Sequence, residues 1–497
     1  MKKILFFLCI PFLLVATPVF AEADNGLQEE IIYDILVDRF NIGDHQNSEQ
    51  VRLEDPEAYH GGDLSGVTAK LDYIDQLGFT TIVLSSIMEN APDGYHGYWI
   101  EDFYSVESQF GTMDDLNTLI EEAHKRDIKV VLELVTNYVA TSHPFVTDPE
   151  KEAWFKANEV ERTPATEWLD HVEVLDQDNP EVSDYLIDVA DFWLDETDID
   201  GFKLQDANQS SESFLTRLTD HLLELDPDLL LMAGISNEDA DISHLRSISG
   251  IQAVENYDLL EALNDVFTEE QRSVSDIYDA WVESGQQNDL IMIDNKKTAR
   301  YSNNTAENER NALTTWKLAL TYMYTMPGTP VIYQGSELPM YGPGFPENQM
   351  LVQFNSPDPD LEEFFERISA LRKEFPALRD GDYELIDSKD GMTVFKRSDA
   401  QDDIYIAINN DVKTKIIPVT DVDENMQLRG VLGDNLVRQN DEGDYLLNLP
   451  RESTEVFIVE ENSGINWLFL GFIVGVFALF VGAIIYLTHK QKQREGK

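Results

Sequence analysis

The feature that most constrains the fold is a repeated alternation of short apolar strands with amphipathic helices. The stretch LDYIDQLG has apolar residues at helical spacing and leads into the strand TTIVLSS. The same order of helix and strand returns at residues 114–135, 182–204 and 213–235. Because repeated units of this kind place their strands parallel in one sheet, the pattern predicts a closed (β/α)8 barrel.

The alternation is interrupted once and then replaced by a different pattern. We expect the barrel to occupy residues 28–136 and 176–375, separated by a connection at 137–175 with little regular structure. Connections of that length are usually functional insertions. Residues 380–460 contain short alternating strands with turn signals, which predict a separate antiparallel β-domain.

Both ends of the chain carry apolar segments. Residues 1–21 combine two lysines, an apolar run and a small-residue exit at Ala21, which predicts a secretory signal peptide. Residues 467–487 contain no charge and would extend about 31 Å as a helix, long enough to cross a bilayer. The basic residues within 488–497 then predict a cytoplasmic tail and a single-pass protein of the cell membrane with its large domain outside. The alternative for residues 1–21 is an uncleaved anchor, and the alternative for residues 467–487 is a buried helix of a soluble domain.

Charge and cysteine content exclude several classes of function. The chain has 94 acidic and 36 basic residues and a formal net charge of −58, which argues against nucleic acid as a partner. The acidic residues are dispersed along the chain, so the charge does not indicate a disordered tail. The only cysteine, Cys9, lies in the predicted signal peptide, so we expect no disulfides and a fold stabilised by its core.

Several motifs in a fixed order resemble the α-amylase family of glycoside hydrolases over about residues 28–460. The order is IYDILVDRF, HGGDLSGVTAKLDYIDQLGFTTIVLSS, YHGYWIEDFYSVESQFGTMDDLNTLIEEAHKRDIKVVLELVTN and LALTYMYTMPGTPVIYQGSEL. The resemblance implies a barrel with a small domain inserted after the third strand, here 137–175, and a C-terminal β-domain. It also implies an active site with three carboxylates at the C-terminal ends of the strands.

None of the three positions that the resemblance assigns to those carboxylates holds a carboxylate in this chain. The nucleophile position is Gln205, the acid/base position is Gly234 and the third position is Lys297. A neutral amide cannot attack an anomeric carbon, and glycine donates no side-chain proton. The arginine that normally accompanies the nucleophile is Lys203, which lacks the planar fork that orients a carboxylate. We therefore expect an inactive barrel.

A neighbouring carboxylate is the main alternative explanation. Asp206 follows Gln205 directly, but strand side chains alternate, so we expect Asp206 on the opposite face from Lys203 and Gln205. Catalysis relocated to Asp206, Glu133 or Glu238 would keep the protein an active α-glucan hydrolase or transglycosylase. A further alternative is a non-enzymatic structural partner of a membrane complex.

Other site residues of the family are less altered. The resemblance implies that substrate is contacted at five positions, which are His96, Tyr98, Asn137, Lys203 and Lys296. Tyr98 could stack on a sugar without catalysis, or could simply pack at a strand end. Lys296 and Lys297 would make the pocket positive, or could form a structural bridge with Glu133.

The expected ligands follow from these residues. An inactive barrel would bind an α-glucan, another glycan or a surface protein, with no nucleic acid and no required cofactor. Asp38, Asn41 and Asp44 resemble a loop that binds calcium in some relatives, and hard oxygen ligands at such spacing suit that ion.

Overall fold

The computed structural model describes residues 26–44, 51–157, 164–237, 240–462 and 467–495. The predicted signal peptide at 1–21 lies outside the described residues, and so does Glu238.

The described chain contains strands throughout the barrel, the insertion and the C-terminal domain. In chain order they are β1 (Ile32–Ile35), β2 (Thr81–Leu84), β3 (Met88–Asn90), β4 (Ile100–Val106), β5 (Lys129–Val135), β6 (Tyr138–Ala140), β7 (Phe155–Lys156), β8 (Val172–Leu175), β9 (Gly201–Gln205), β10 (Leu230–Ala233), β11 (Ala253–Val254), β12 (Leu290–Ile291), β13 (Thr329–Tyr333), β14 (Asp382–Lys389), β15 (Met392–Ser398), β16 (Asp403–Asn409), β17 (Lys415–Val419), β18 (Met426–Gly430), β19 (Leu436–Arg438), β20 (Tyr445–Leu449) and β21 (Ser453–Glu461).

The helices of the described residues are α1 (Leu64–Thr68), α2 (Leu71–Gln76), α3 (Met113–His124), α4 (Pro144–Thr147), α5 (Pro180–Glu196), α6 (Glu212–Leu225), α7 (Tyr257–Thr268), α8 (Ser275–Ser284), α9 (Tyr301–Glu307), α10 (Ala312–Thr325), α11 (Pro359–Glu374), α12 (Ala377–Asp380) and α13 (Trp467–Glu495). Most of them alternate with the barrel strands, whereas α4 lies in the segment after β5 and α13 follows the C-terminal domain.

The predicted (β/α)8 barrel is confirmed. Eight parallel strands pair in the order β11, β10, β9, β5, β2, β1, β13, β12. A parallel bridge between Glu255 and Leu290 joins the two ends of this order and closes the barrel. The strands are short and apolar because both of their faces are buried, as in β2, where all four residues are buried.

The segment after β5 forms a small sheet of its own. Strands β6, β8 and β7 pair antiparallel in that order. A 3-10 helix, Pro164–His171, precedes β8 and carries Trp168. The indole Nε1 of Trp99 donates a hydrogen bond to the Trp168 carbonyl oxygen at 2.8 Å, which fixes this helix against the barrel.

The C-terminal β-domain has a core separate from that of the barrel. Its larger sheet has the order β14, β15, β16, β21, β18, β19, and β17 pairs with β20 beside it. Inward residues such as Tyr405, Leu428 and Leu447 build the second core. This agrees with the expected antiparallel domain.

The structure corrects the predicted membrane segment. A helix, α13, does begin at Trp467, but among the residues that the structure describes no helix is long and apolar enough to cross a membrane. This finding overturns the predicted transmembrane helix at 467–487, the cytoplasmic tail at 488–497 and the single-pass location at the cell membrane.

Candidate functional site

The candidate site lies where the barrel strands end. Parallel strands in a closed barrel bring their C-terminal ends to one face, so residues far apart in sequence meet there. The charged residues that meet are Asp34 on β1, Glu133 on β5, Lys203 on β9, Asp206 after β9, Glu255 after β11, and Lys296 and Lys297 after β12. All except Lys297 are buried.

Lys203 links two carboxylates across the barrel mouth. Its Nζ lies 3.2 Å from Asp34 Oδ2 and 2.7 Å from Glu255 Oε1. Burial alone would lower the pKa of this ammonium, but the two carboxylates outweigh burial and raise the pKa. Burial alone would likewise raise the pKa of Asp34 and of Glu255, but Lys203 and Lys297 hold both pKa values below the ordinary range, and Lys296 contributes to the lowering for Asp34. Both carboxylates are therefore ionised and engaged.

Lys296 and Lys297 pair with the remaining carboxylates. Lys296 Nζ forms a buried ion pair with Glu133 Oε2, and Lys297 Nζ lies 2.7 Å from Asp206 Oδ1. Lys297 also donates to the Ile235 carbonyl oxygen at 2.6 Å. The ion pairs thus join three lysines to four carboxylates. The expected positive pocket does not form, because each lysine is paired with a carboxylate. Lys296 instead forms the structural bridge to Glu133 that was the other expectation for these lysines.

The nucleophile position is occupied by a hydrogen-bonded amide. Gln205 is the last residue of β9, and its Nε2 donates to Asp206 Oδ1 at 3.0 Å. Asn137 donates from Nδ2 to the carbonyl oxygens of Gln205 and Asp206 at 3.1 and 3.0 Å. Asn137 therefore holds the end of the strand, and the substrate contact predicted for it stays a prediction.

Asp206 faces the mouth, contrary to the strand alternation. Its backbone lies in the left-handed region, with φ 48° and ψ 44°, so the chain leaves the strand at this residue. The carboxylate consequently turns toward Gln205 and Lys297. The expectation that Asp206 lies on the opposite face was wrong, because strand alternation ends at Gln205.

The acid/base position, Gly234, carries no side chain that could donate a proton. A Cβ built on Gly234 would lie 3.3 Å from Lys203 Cε and 3.6 Å from Gln205 Oε1. The Lys203 stem therefore packs closely against this position.

The predicted sugar platform, Tyr98, is enclosed by other side chains. Its ring centroid lies 5.0 Å from that of His96 and 4.8 Å from that of Trp168, and Lys296 Nζ lies 5.9 Å from the ring. His96 Nδ1 accepts a hydrogen bond from the Tyr98 backbone N–H at 3.1 Å. Burial lowers the pKa of His96 to about 3, so its imidazole is neutral. The platform itself is only 6 % exposed.

The loop predicted to bind calcium has its polar atoms in other contacts. Both carboxylate oxygens of Asp38 accept backbone N–H bonds from His60, and the Arg39 guanidinium lies 3.0 Å away. Burial raises the pKa of Asp38 to about 6. Asn41 Nδ2 donates to the Gly66 carbonyl oxygen, and the Asp44 backbone N–H donates to Asp63. Within the described ranges no group of three or more His, Cys, Asp or Glu is arranged to hold a metal ion. Asp38 is thus engaged by backbone N–H groups and a guanidinium, and calcium binding by this loop stays a prediction.

Three residues of the site were missed by the sequence reasoning. Asp34 could have been recognised from the sequence, because a carboxylate inside the apolar strand β1 requires a buried partner. Glu255 directly follows β11, so its place at a strand end was also readable. Trp168 had no signal, because the inserted segment lacks a regular hydrophobic period.

Comparison with known protein families shows which family the chain belongs to. Residues 34–373 match the family described as "Alpha amylase, catalytic domain", and residues 381–457 match "Alpha-amylase C-terminal domain". The chain belongs to the α-amylase family. The chain is therefore related to the glycoside hydrolases of α-glucan metabolism, and it shares their (β/α)8 barrel and C-terminal β-domain.

Similar α-amylase-family proteins cover most of the chain. The α-amylase of Geobacillus thermoleovorans, solved in complex with acarbose, is 39 % identical, has a TM-score of 0.82 and covers 88 % of this chain and 99 % of its own. An Anoxybacillus α-amylase is 36 % identical with the same TM-score and coverage. A Bacillus cyclomaltodextrinase is 26 % identical over 78 % of this chain and 73 % of its own length. The chain spans only 38 % of the Beta/alpha-amylase of Paenibacillus polymyxa, to which it is 28 % identical.

Proposed function

We propose that this protein is a catalytically inactive member of the α-amylase family that binds α-glucans without cleaving them. The observation that carries the proposal is that none of the three catalytic positions presents a carboxylate. Gln205 is a hydrogen-bonded amide, Gly234 has no side chain and packs against the Lys203 stem, and Lys297 is in an ion pair. A retaining glycosidase needs two carboxyl groups about 5–5.5 Å apart, one as nucleophile and one as acid/base.

The carboxylates that remain in the mouth are poorly suited to replace the missing ones. A general acid must carry a proton near neutral pH, but the pKa values of Asp34 and Glu255 are lowered by Lys203. Asp206 Oδ1 already accepts hydrogen bonds from Gln205 and Lys297. Glu133, which the alternative of relocated catalysis also invoked, is fully buried against Lys296.

Binding of α-glucan is supported by the family and by aromatic and amide side chains near the ends of the barrel strands. The Geobacillus thermoleovorans relative, whose structure holds acarbose, aligns over 99 % of its chain. Recognition of a neutral sugar needs aromatic surface and a few polar groups rather than catalytic carboxylates. Aromatic and amide side chains both remain at the mouth of this barrel.

The test is hydrolysis of maltoheptaose and soluble starch by the purified chain, followed as reducing ends. We expect no release above buffer at micromolar protein over hours, with the Geobacillus thermoleovorans α-amylase as positive control. Asp206→Asn and Glu133→Gln serve as matched variants that abolish either relocated carboxylate. Any turnover by the wild type would contradict the proposal, and its loss in one of the variants would identify the carboxylate responsible.

A further inference from the structure

Glu337 is a buried carboxyl group that takes no part in the candidate site. It follows β13 and is 2 % exposed. Its Oε1 accepts a hydrogen bond from the Tyr33 hydroxyl of β1 at 2.6 Å and another from the Tyr73 hydroxyl of α2 at 3.3 Å. The side chain therefore ties the segment after β13 to both a strand and a helix of the barrel.

The second carboxyl oxygen of Glu337 lacks such support. Oε2 is buried and has no hydrogen-bond partner within the described ranges. Arg300, at the start of α9, attracts Glu337 and also Asp294, but among the described residues no ion pair joins Arg300 to Glu337. A carboxylate without a cation is costly to bury, so burial favours the protonated acid. Burial raises the pKa of Glu337 to about 7, although the Tyr33 hydroxyl and Arg300 oppose the shift.

The other titratable groups that face Glu337 supply no positive charge. Burial and the Glu337 carboxyl raise the pKa values of Tyr33 and Tyr73, so both phenols stay neutral and keep the hydrogens that they donate. Glu362 of α11 raises the pKa of Tyr73 further. Burial also raises the pKa of Tyr324 on α10. The charge of an ionised Glu337 would thus be opposed mainly by Arg300.

The segment that Glu337 fastens, residues 334–349, is here called the β13 loop. Its far end contacts the barrel mouth, because Asn348 Nδ2 and Gln349 Nε2 both donate to the Lys296 carbonyl oxygen, at 3.0 and 2.7 Å. Displacement of the β13 loop would remove these donors from the backbone of Lys296. The state of Glu337 is therefore connected to the mouth through one continuous segment of chain.

We propose that Glu337, with Tyr33 and Tyr73, is a pH-operated latch that holds the β13 loop while its carboxyl group is protonated and releases the loop when it ionises. The neutral acid accepts both phenol hydrogen bonds without burying a charge. Loss of the proton to solvent leaves a carboxylate that is stabilised by reaching water. Tyr73 is partly exposed and marks the side on which water lies. The latch does not depend on whether the mouth binds α-glucan.

The first experiment is urea unfolding of the full chain and of Glu337→Gln between pH 5 and pH 8. The folded-state pKa lies above the ordinary glutamate value of 4.5, so the folded state binds more protons and wild-type stability falls as the pH rises from 4.5 toward 7. The amide cannot ionise and escapes this loss. The unfolding equilibrium constant of the wild type relative to Glu337→Gln should rise at least about tenfold over this range.

Glu347→Gln is the matched control, because Glu347 is an exposed carboxyl group on the same loop. The ratio of the wild-type unfolding constant to that of Glu347→Gln should change by less than about twofold over the same range. Every other titrating group is common to the compared proteins and cancels in each ratio. A ratio for Glu337→Gln that is as flat as the control, or that falls as the pH rises, would overturn the latch.

Hydrogen exchange tests the β13 loop itself. The backbone amides of Ser336, Leu338 and Met340 donate to carbonyl oxygens of Tyr333 or Gly335 in the turn after β13. After correction for the pH dependence of intrinsic exchange, their protection in the wild type should fall about tenfold or more between pH 5.5 and pH 8, and stay constant in Glu337→Gln. Constant protection in the wild type would contradict release of the loop, whatever the unfolding data show.

If Glu337→Gln does not fold, Tyr33→Phe decides. The Tyr33 hydroxyl favours the ionised carboxylate, so its removal raises the pKa of Glu337 further. The loss of stability and of loop protection should then move to higher pH than in the wild type. A loss at unchanged or lower pH would overturn the latch.

Discussion

Lys203 holds the barrel mouth together at the scale of single residues. It is the shared partner of Asp34 and Glu255, and all three side chains are buried. Removing one partner of a buried ion pair leaves an uncompensated charge, which costs far more than a surface pair contributes. The lysine that replaced the family arginine is thus a structural residue in this chain.

We expect Lys203→Met to lower the free energy of unfolding by about 3–5 kcal/mol at pH 7. Without the ammonium, the folded-state pKa values of Asp34 and Glu255 rise above their unfolded values, so the folded state binds more protons. The loss is therefore small near pH 4 and grows as the pH rises toward neutrality. Urea unfolding at several pH values measures it.

Lys125→Met is the control for this prediction, because Lys125 forms an exposed pair with Glu122. It should change stability by less than about 1 kcal/mol, with little dependence on pH. A loss in Lys203→Met as small as this, or one that shrinks as the pH rises, would contradict the structural role of Lys203.

Asp206 shows what sequence reasoning could and could not reach for a single residue. The occupants of the three catalytic positions were readable from the motifs alone. The direction of the Asp206 carboxylate was not, because it depends on a left-handed backbone conformation that the strand pattern does not reveal. Which carboxylate each lysine pairs with depends on the distances between side chains on different strands of the barrel. Those distances cannot be read from the spacing of residues in the sequence.

At the scale of elements, the strands that build the barrel were predictable because each is an apolar run with both faces buried. The strands β2, β5 and β9 fall within the apolar stretches that predicted them. The place of the 3-10 helix Pro164–His171 over the mouth was not predictable, because it is set by tertiary contacts such as Trp99 to Trp168. The predicted transmembrane helix was wrong for the described residues.

The junction between the barrel and the C-terminal domain depends on Arg397 of β15. Its guanidinium donates to four carbonyl oxygens, those of Thr325, Leu378, Arg379 and Gly381, at 2.7–3.1 Å. Arg397→Met removes all four of these donations, and of the acceptors the Leu378 carbonyl oxygen keeps a hydrogen bond from Arg372 at 3.3 Å. We therefore expect a loss of at least about 3 kcal/mol in urea unfolding. Arg429→Met, which removes an exposed pair with Glu460, should cost less than about 1 kcal/mol. Equal losses in the two variants would contradict the importance of this junction.

At the scale of the whole molecule, the chain keeps the architecture of the α-amylase family while ion pairs occupy the mouth of its barrel. Both the barrel and the C-terminal domain match the family along their lengths. The proposed function separates fold from catalysis, because the core depends on apolar pattern, whereas catalysis depends on three side chains. Each of Lys203, Lys296 and Lys297 is paired with at least one carboxylate, so the mouth remains packed without an unpaired lysine among these three.

The central claim is that no carboxylate in this mouth acts as a nucleophile. The most direct measurement is intact-protein mass spectrometry after incubation with a fluoro-substituted α-maltosyl fluoride, which traps the glycosyl-enzyme intermediate of retaining enzymes. We expect no added mass on this chain, while the Geobacillus thermoleovorans α-amylase, as positive control, gains one maltosyl group. A maltosyl adduct on this chain, mapped by peptide digestion to Asp34, Glu133, Asp206 or Glu255, would contradict it.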